Sequence, residues 1–191
     1  SDRFLGPVFE VATRDELDAL AEATCQSVRP LDDAPTVVLV DPSGLEVRVC
    51  AGLPVLPPLP ERDALPLNVG RTVQRVNSSQ RPRVGPATIQ RLGHLVLETT
   101  RARACIAWYR DVLGMVVSDY LYLQALPERG PTMAFLRCDR GSRPVDHHTL
   151  AIHLGLRDGL SHVAFQVVDL DAIATGGAHL AARGYHHSWG I

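Results

Sequence analysis

The chain has 191 residues, 46% of them apolar, 21% charged and 5% aromatic, with a formal charge of -2. That composition belongs to one ordinary globular domain or to two small modules sharing a core. The near-neutral balance excludes a global basic field for nucleic acid or an anionic membrane, and no apolar run approaches the roughly 18 residues of a membrane helix.

The opening Ser1-Asp2-Arg3 is unlike a secretory leader, which needs a basic stretch before an apolar one. Cysteines stand at 25, 50, 105 and 138 with no C-x-x-C, a poor pattern for a zinc knuckle or a disulfide scaffold. Reduced thiols in a cytoplasmic protein are expected.

In chain order, Val8–Val11 reads as a strand. A helix follows, opened by Thr13 with Glu16 three residues on, the spacing of a capping box. Residues 36–49 then read as two strands joined by Asp41-Pro42-Ser43-Gly44, a strong turn signal. The segment 53–91 changes character: it is dense in proline, then in arginine, with no sustained period. Proline removes backbone donors and biases its predecessor toward extended conformations, so this reads as an inter-module linker, too long for an ordinary loop. Its arginines read as a solvated strap.

A second unit starts at Gly93, with a strand over His94–Leu97 and a helix carrying Ile106, Tyr109 and Leu113 at helical spacing. Residues 121–155 supply three further strands. A third unit opens with a strand over His162–Val168 and a helix expected to end at Gly184. Aligning Phe9, Leu97 and Phe165 makes Gly6, His94 and His162 equivalent, so one strand–helix unit recurs. The pattern β-α-β-β-β predicts an α+β fold of curved, mostly antiparallel sheets with helices on the outer face. The pattern divides the chain into residues 1–52, a linker over 53–91, and residues 92–191, where the third unit has not yet made its further strands.

Histidine carries the chemical information. A lone strand histidine is ordinarily a satisfied core or surface group. Two at equivalent positions of duplicated strands sit across a pseudo-twofold cleft, which is what a metal needs from two ligands. Strand alternation gives His94 a face with Val96 and Glu98, and His162 a face with Ala164 and Gln166. The first unit has Gly6 at that position and Arg48 near the strand end where a carboxylate would complete a site, so it reads as structural. Alternation also puts His148 with Leu150 and Ile152, and His147 with His153 on the other face. A histidine beside a metal without ligating it is suited to proton transfer; polar residues at a strand entrance are the plainer alternative. His186 and His187 read as a surface turn.

Five motifs, G-H-L-V-L-E, A-W-Y-R-D-V-L-G-M, D-H-H-T-L-A, S-H-V-A-F-Q-V-V-D-L-D-A and R-G-Y-H-H-S-W-G-I, in this order, resemble the vicinal oxygen chelate superfamily, specifically its type I extradiol (catechol meta-cleaving) dioxygenases. The resemblance implies the glyoxalase-like fold of repeated βαβββ units in curved mixed sheets, with residues 1–52 as the second half of a non-catalytic N-terminal module, 53–91 as linker and 92–191 as a catalytic-type C-terminal module lacking its last strands. It implies a Fe(II) site, with Mn(II) as the alternative, in which His94 and His162 are ligands and His148 is the catalytic proton-handling residue. The third ligand, a glutamate, is expected beyond Ile191; without it the chain would be inactive. Two imidazoles and a carboxylate on one face of iron leave positions for a bidentate catechol and for dioxygen. A catechol-type substrate, dioxygen and a homo-oligomeric assembly are the expected partners, with Met133, Phe135 and Leu150 lining a pocket suited to a bicyclic or alkylated ring. Two other functions stay open: a non-catalytic small-molecule-binding resistance protein, which has no need of matched imidazoles, and a metal-dependent glyoxalase-like lyase or isomerase.

Overall fold

The computed structural model describes residues 4–31, 34–60, 63, 66–77 and 85–186. They form two compact units, one of Ser1–Val55 with Gly93–Ala164 and one of Leu56–Leu92 with Phe165–Ile191.

Local chemistry sets the first elements. Strand β1 (Val8–Val11) leads into helix α1 (Arg14–Ala23). The Thr13 hydroxyl accepts from the Glu16 N–H while the Glu16 carboxylate accepts from the Thr13 N–H, so the anticipated capping box is present. Strands β2 (Arg29–Leu31), β3 (Ala34–Val40) and β4 (Glu46–Ala51) follow. The β3–β4 turn is held by Asp41, whose carboxylate accepts from the Ser43 and Leu45 N–H groups at 2.8 and 3.1 Å, an Asx turn completed by Gly44 at φ 90°.

The same path is then traced again by β5 (Arg91–Thr99), α2 (Ala102–Leu113), β6 (Val116–Tyr122), β7 (Pro131–Arg137) and β8 (Leu150–Leu154). Among the described residues the strand orders are β1-β4-β3-β2 in one sheet and β6-β7-β8-β5-β9 in the other. Strand β9 (Gly159–Gln166) and helix α3 (Leu170–Ala181) begin a further strand–helix unit. In each repeat the first strand lies parallel to the last, β1 on β4 and β5 on β8, while the intervening pairs are antiparallel. Across these parallel pairs Phe9 opposes Val49 and Leu97 opposes Ile152. The sheets are mixed, more so than the strand-rich pattern alone suggests.

Both repeats contribute to one core. Leu17, Val37, Val47 and Val49 share a cluster with Leu97, Ile106, Leu136 and Ile152, each buried side chain stabilising the fold by about 1.5–3 kcal/mol. Tyr109 is the largest fully buried side chain. Its hydroxyl donates to Asp41 Oδ2 at 3.3 Å and its ring meets Phe9 edge-on at 6.3 Å. Burial, reinforced by the Asp41 carboxylate, pushes that hydroxyl's pKa far above its ordinary value. Leu95 and Leu97 of β5, Ala134 and Leu136 of β7, and Leu150 and Ile152 of β8 belong to this core with Ile106 and Tyr109 of α2. Alternation leaves His94, Val96 and Glu98 on the other face.

In the second unit α3 is capped by Asp169, whose side chain accepts from the Ala172 N–H at 2.8 Å. The helix ends at Ala181 rather than Gly184; Gly184 instead closes the following turn at φ 84°. Strand β9 likewise stops at Gln166, short of Val168. The described residues between Gly52 and Gln90 hold no helix or ladder, only an isolated bridge between Val69 and Thr72.

Candidate functional site

Strand β5 carries His94, β9 carries His162, and the bend before β8 carries His148. The three rings converge: the centroid of His94 is 4.3 Å from His148 and 5.7 Å from His162. Phe135 on β7 borders the cluster, with its ring 5.0 Å from His148 and 5.7 Å from His147.

His148 arrives there by a route different from strand alternation. Leu150 and Ile152 are fully buried and lie in the core, whereas His148 meets His94, whose side of β5 is opposite the core residues Leu95 and Leu97. The reason is that the strand begins only at Leu150, so alternation does not extend back through the bend at 147–149. Leu150 therefore packs in the core and is no pocket residue, while Met133 and Phe135 alternate with the core residues Ala134 and Leu136 on β7.

A polar chain fixes the bend. Arg137 Nη1 donates to Ser118 Oγ at 2.7 Å, and Ser118 Oγ donates to the His147 carbonyl. His147 Nδ1 lies 3.1 Å from His148 Nδ1, which leaves Nε2 of His148 for another partner. Sequence reasoning missed Ser118 and Arg137. Their meeting depends on the β6–β7 register, which shifts between Val117 and Asp119, and nothing local announces it.

Electrostatics favour the neutral form of His94 and His148. Partial burial, then the neighbouring His162, lowers the pKa of His94. His148 is lowered by burial and by His94, His147 and His162, against the opposing pull of Asp146. A neutral imidazole offers the lone pair a metal needs. Rings whose centres are 5.7 Å apart lie within reach of one cation at metal–nitrogen distances of about 2.0–2.1 Å, and imidazole suits divalent iron, zinc, copper or nickel. The pair thus fits as two ligands. Among the described residues no group of three His, Cys, Asp or Glu side chains assembles as a metal cage. Glu98, on the His94 side of β5, is engaged with the Leu156 and Arg157 N–H groups.

His153 opposes Glu98 and Met133 in the sheet and contacts the Leu154 carbonyl at 3.2 Å. His186 is exposed after α3, in keeping with a surface turn; His187 lies outside the described residues. In the first repeat a Cβ on Gly6 would stand 1.7 Å from the Glu46 carbonyl oxygen, and Arg48 pairs with Glu46 at 2.6 Å. No helix of the described residues is long and apolar enough to cross a membrane.

The chain resembles several known proteins. Metapyrocatechase 2 of Cupriavidus necator is 31% identical over 158 residues, covering 83% of this chain and 45% of the relative. The Mn(II)-bound glyoxalase of Novosphingobium aromaticivorans superposes with TM-score 0.62 at 23% identity, over 96% of this chain and 52% of that one. The 2,2',3-trihydroxybiphenyl 1,2-dioxygenase of Sphingomonas wittichii strain RW1 gives TM-score 0.59 at 19% identity, over 95% and 59%. The chain thus spans about half the length of the relatives it matches, and the structural likeness establishes the fold. The profile of the Glyoxalase/Bleomycin resistance protein/Dioxygenase superfamily matches residues 91–187, the stretch that holds β5 through α3 and all three converging histidines, and the chain belongs to that superfamily.

Proposed function

We propose that this chain is the metal-holding part of a Fe(II)-dependent extradiol dioxygenase that opens a catechol-type ring, with His94 and His162 as ligands and His148 as acid–base. The observation that carries the reading is the convergence of these three rings at 4.3 and 5.7 Å. The likeness to a protein named Metapyrocatechase 2 supports the same chemistry.

Bound iron would act as a Lewis acid toward both catechol oxygens and would relay electron density from ring to dioxygen. The chain's own residues do the rest. His94 and His162 present ring nitrogens from neighbouring strands. His148, with Nδ1 turned to His147, takes the catechol proton at Nε2 and returns it as the ring opens; its lowered pKa keeps it a free base near neutral pH. Phe135 sets an apolar edge against His148, guiding a flat substrate and excluding water, and Met133 extends that surface toward a bicyclic or alkylated ring.

The test is anaerobic reconstitution with Fe(II) of a protein that holds all three ligands, the expected glutamate included, followed by catechols and oxygen. Ring-opened semialdehyde should appear with equimolar oxygen uptake, and His162→Ala should abolish it. A protein with all three ligands that takes up iron at the pair yet leaves every catechol intact contradicts the reading.

A further inference from the structure

We propose that Glu98 and Asp158 are positioning residues, a pair of reciprocal carboxylate clamps that lock β9 in register beside β5 and so hold His162 against His94. Glu98 lies four residues after His94 and Asp158 four residues before His162. Each carboxylate crosses to the backbone of the other's segment. Glu98 Oε1 accepts from the N–H of Leu156 at 2.9 Å and of Arg157 at 3.3 Å. Asp158 Oδ1 accepts from the Thr99 hydroxyl at 2.6 Å and the Thr100 N–H at 2.9 Å.

The clamps grip the short connection between β8 and β9, and a third contact closes it: the Gly155 N–H donates to the Thr99 carbonyl at 3.0 Å. Gly155 is required here because a Cβ would lie 2.2 Å from Glu98 Cγ and 2.3 Å from Oε1. The carboxylate fills the space that a larger residue would take.

The consequence for the histidines follows from strand geometry. Side chains alternate faces, so a slip of one residue in β9 turns His162 to the other side of the sheet. Turn chemistry at the start of a strand fixes its register, and here that chemistry is supplied by two side chains instead of by a tight hairpin. The geometry stands by itself; its bearing on catalysis rests on the metal-holding reading above.

The experiment uses the whole chain with ring-labelled histidine. In the metal-free protein, a nuclear Overhauser contact reports the approach of the His94 and His162 rings; Co(II) titration then reads affinity and the visible spectrum of the bound ion. Asp158→Ala should lose the ring contact and weaken Co(II) binding by about 10–100-fold, the usual cost of removing an outer support. Asp158→Asn, whose amide oxygen still accepts from Thr99 and Thr100, should restore both. Glu98→Ala serves as an independent second variant. If Asp158→Ala and Glu98→Ala both keep the ring contact and the native Co(II) spectrum, the proposal is overturned. If the variants lose the ring contact while the native chain takes up no Co(II), the clamps stand and the metal reading falls.

Discussion

The first repeat, β1 to β4, and the second, β5 to β8, follow one chain path but end with opposite contents. At the head of β1, Gly6 faces the Glu46 carbonyl so closely that no side chain fits. At the equivalent point of β5, His94 meets His148 and His162. The duplicated scaffold fixes where a side chain can stand; the crowding of the neighbouring backbone decides whether one does. Exchanging the two residues is the most direct way to break this contrast. Gly6→His must displace the Glu46 backbone and adopt φ near 146°, and should cost about 3 kcal/mol or more in urea unfolding. His94→Gly should stay within about 1 kcal/mol of native stability. A Gly6→His chain as stable as the native one would end the comparison.

Function should divide along the same line. His94→Ala is expected to weaken Mn(II) binding by at least about 100-fold, beyond the usual effect of an outer partner, while Arg48→Ala in the first repeat leaves it unchanged; calorimetric titration checks both. The junction between the repeats comes next in size. Tyr109→Phe removes the hydroxyl that reaches Asp41 from α2 and should cost about 1–1.5 kcal/mol in denaturant unfolding. Asp41 keeps its Ser43 and Leu45 donors, which limits the loss. Thr13→Ala dismantles the α1 capping box, worth about 1 kcal/mol, measured the same way.

The smallest effect is in acid. The Leu156 and Arg157 N–H groups, the Arg157 guanidinium and His153 hold Glu98 below the ordinary carboxylate range. The Thr99 hydroxyl, the Thr100 N–H and hydroxyl, and the Arg101 guanidinium do the same for Asp158. Carboxylates depressed in the folded state contribute stability that is fully present above the unfolded value, about pH 4. It fades as pH falls through the lower folded values. The melting temperature of the native chain should therefore drop in this window more than that of a Glu98→Ala, Asp158→Ala double variant. Equal acid sensitivity of the two would contradict it.

Much of this is legible in the sequence because the signals are local. The Thr13–Glu16 cap, the Asp41–Gly44 turn and the alternation around His94 each sit within a few residues. The equivalence of His94 and His162 came from the repeat itself. His148 could be singled out, but not its face, since the strand that would fix it starts two residues later. Supports linked by register were hidden. Thr100 and Asp158 are 58 residues apart and Ser118 and Arg137 are 19, and only sheet pairing brings them together. The end of α3 was misjudged for a related reason: Gly184 signals a turn without saying how many residues separate it from the helix.

The claim that His94 and His162 hold a metal with His148 beside them can be tested by titrating ring-labelled chain with Mn(II) and following each histidine resonance. The account predicts that His94, His162 and His148 broaden first. His153, which opposes Glu98 four residues along β5, should broaden later. Broadening that begins at His153 or spreads evenly over all histidines would contradict it.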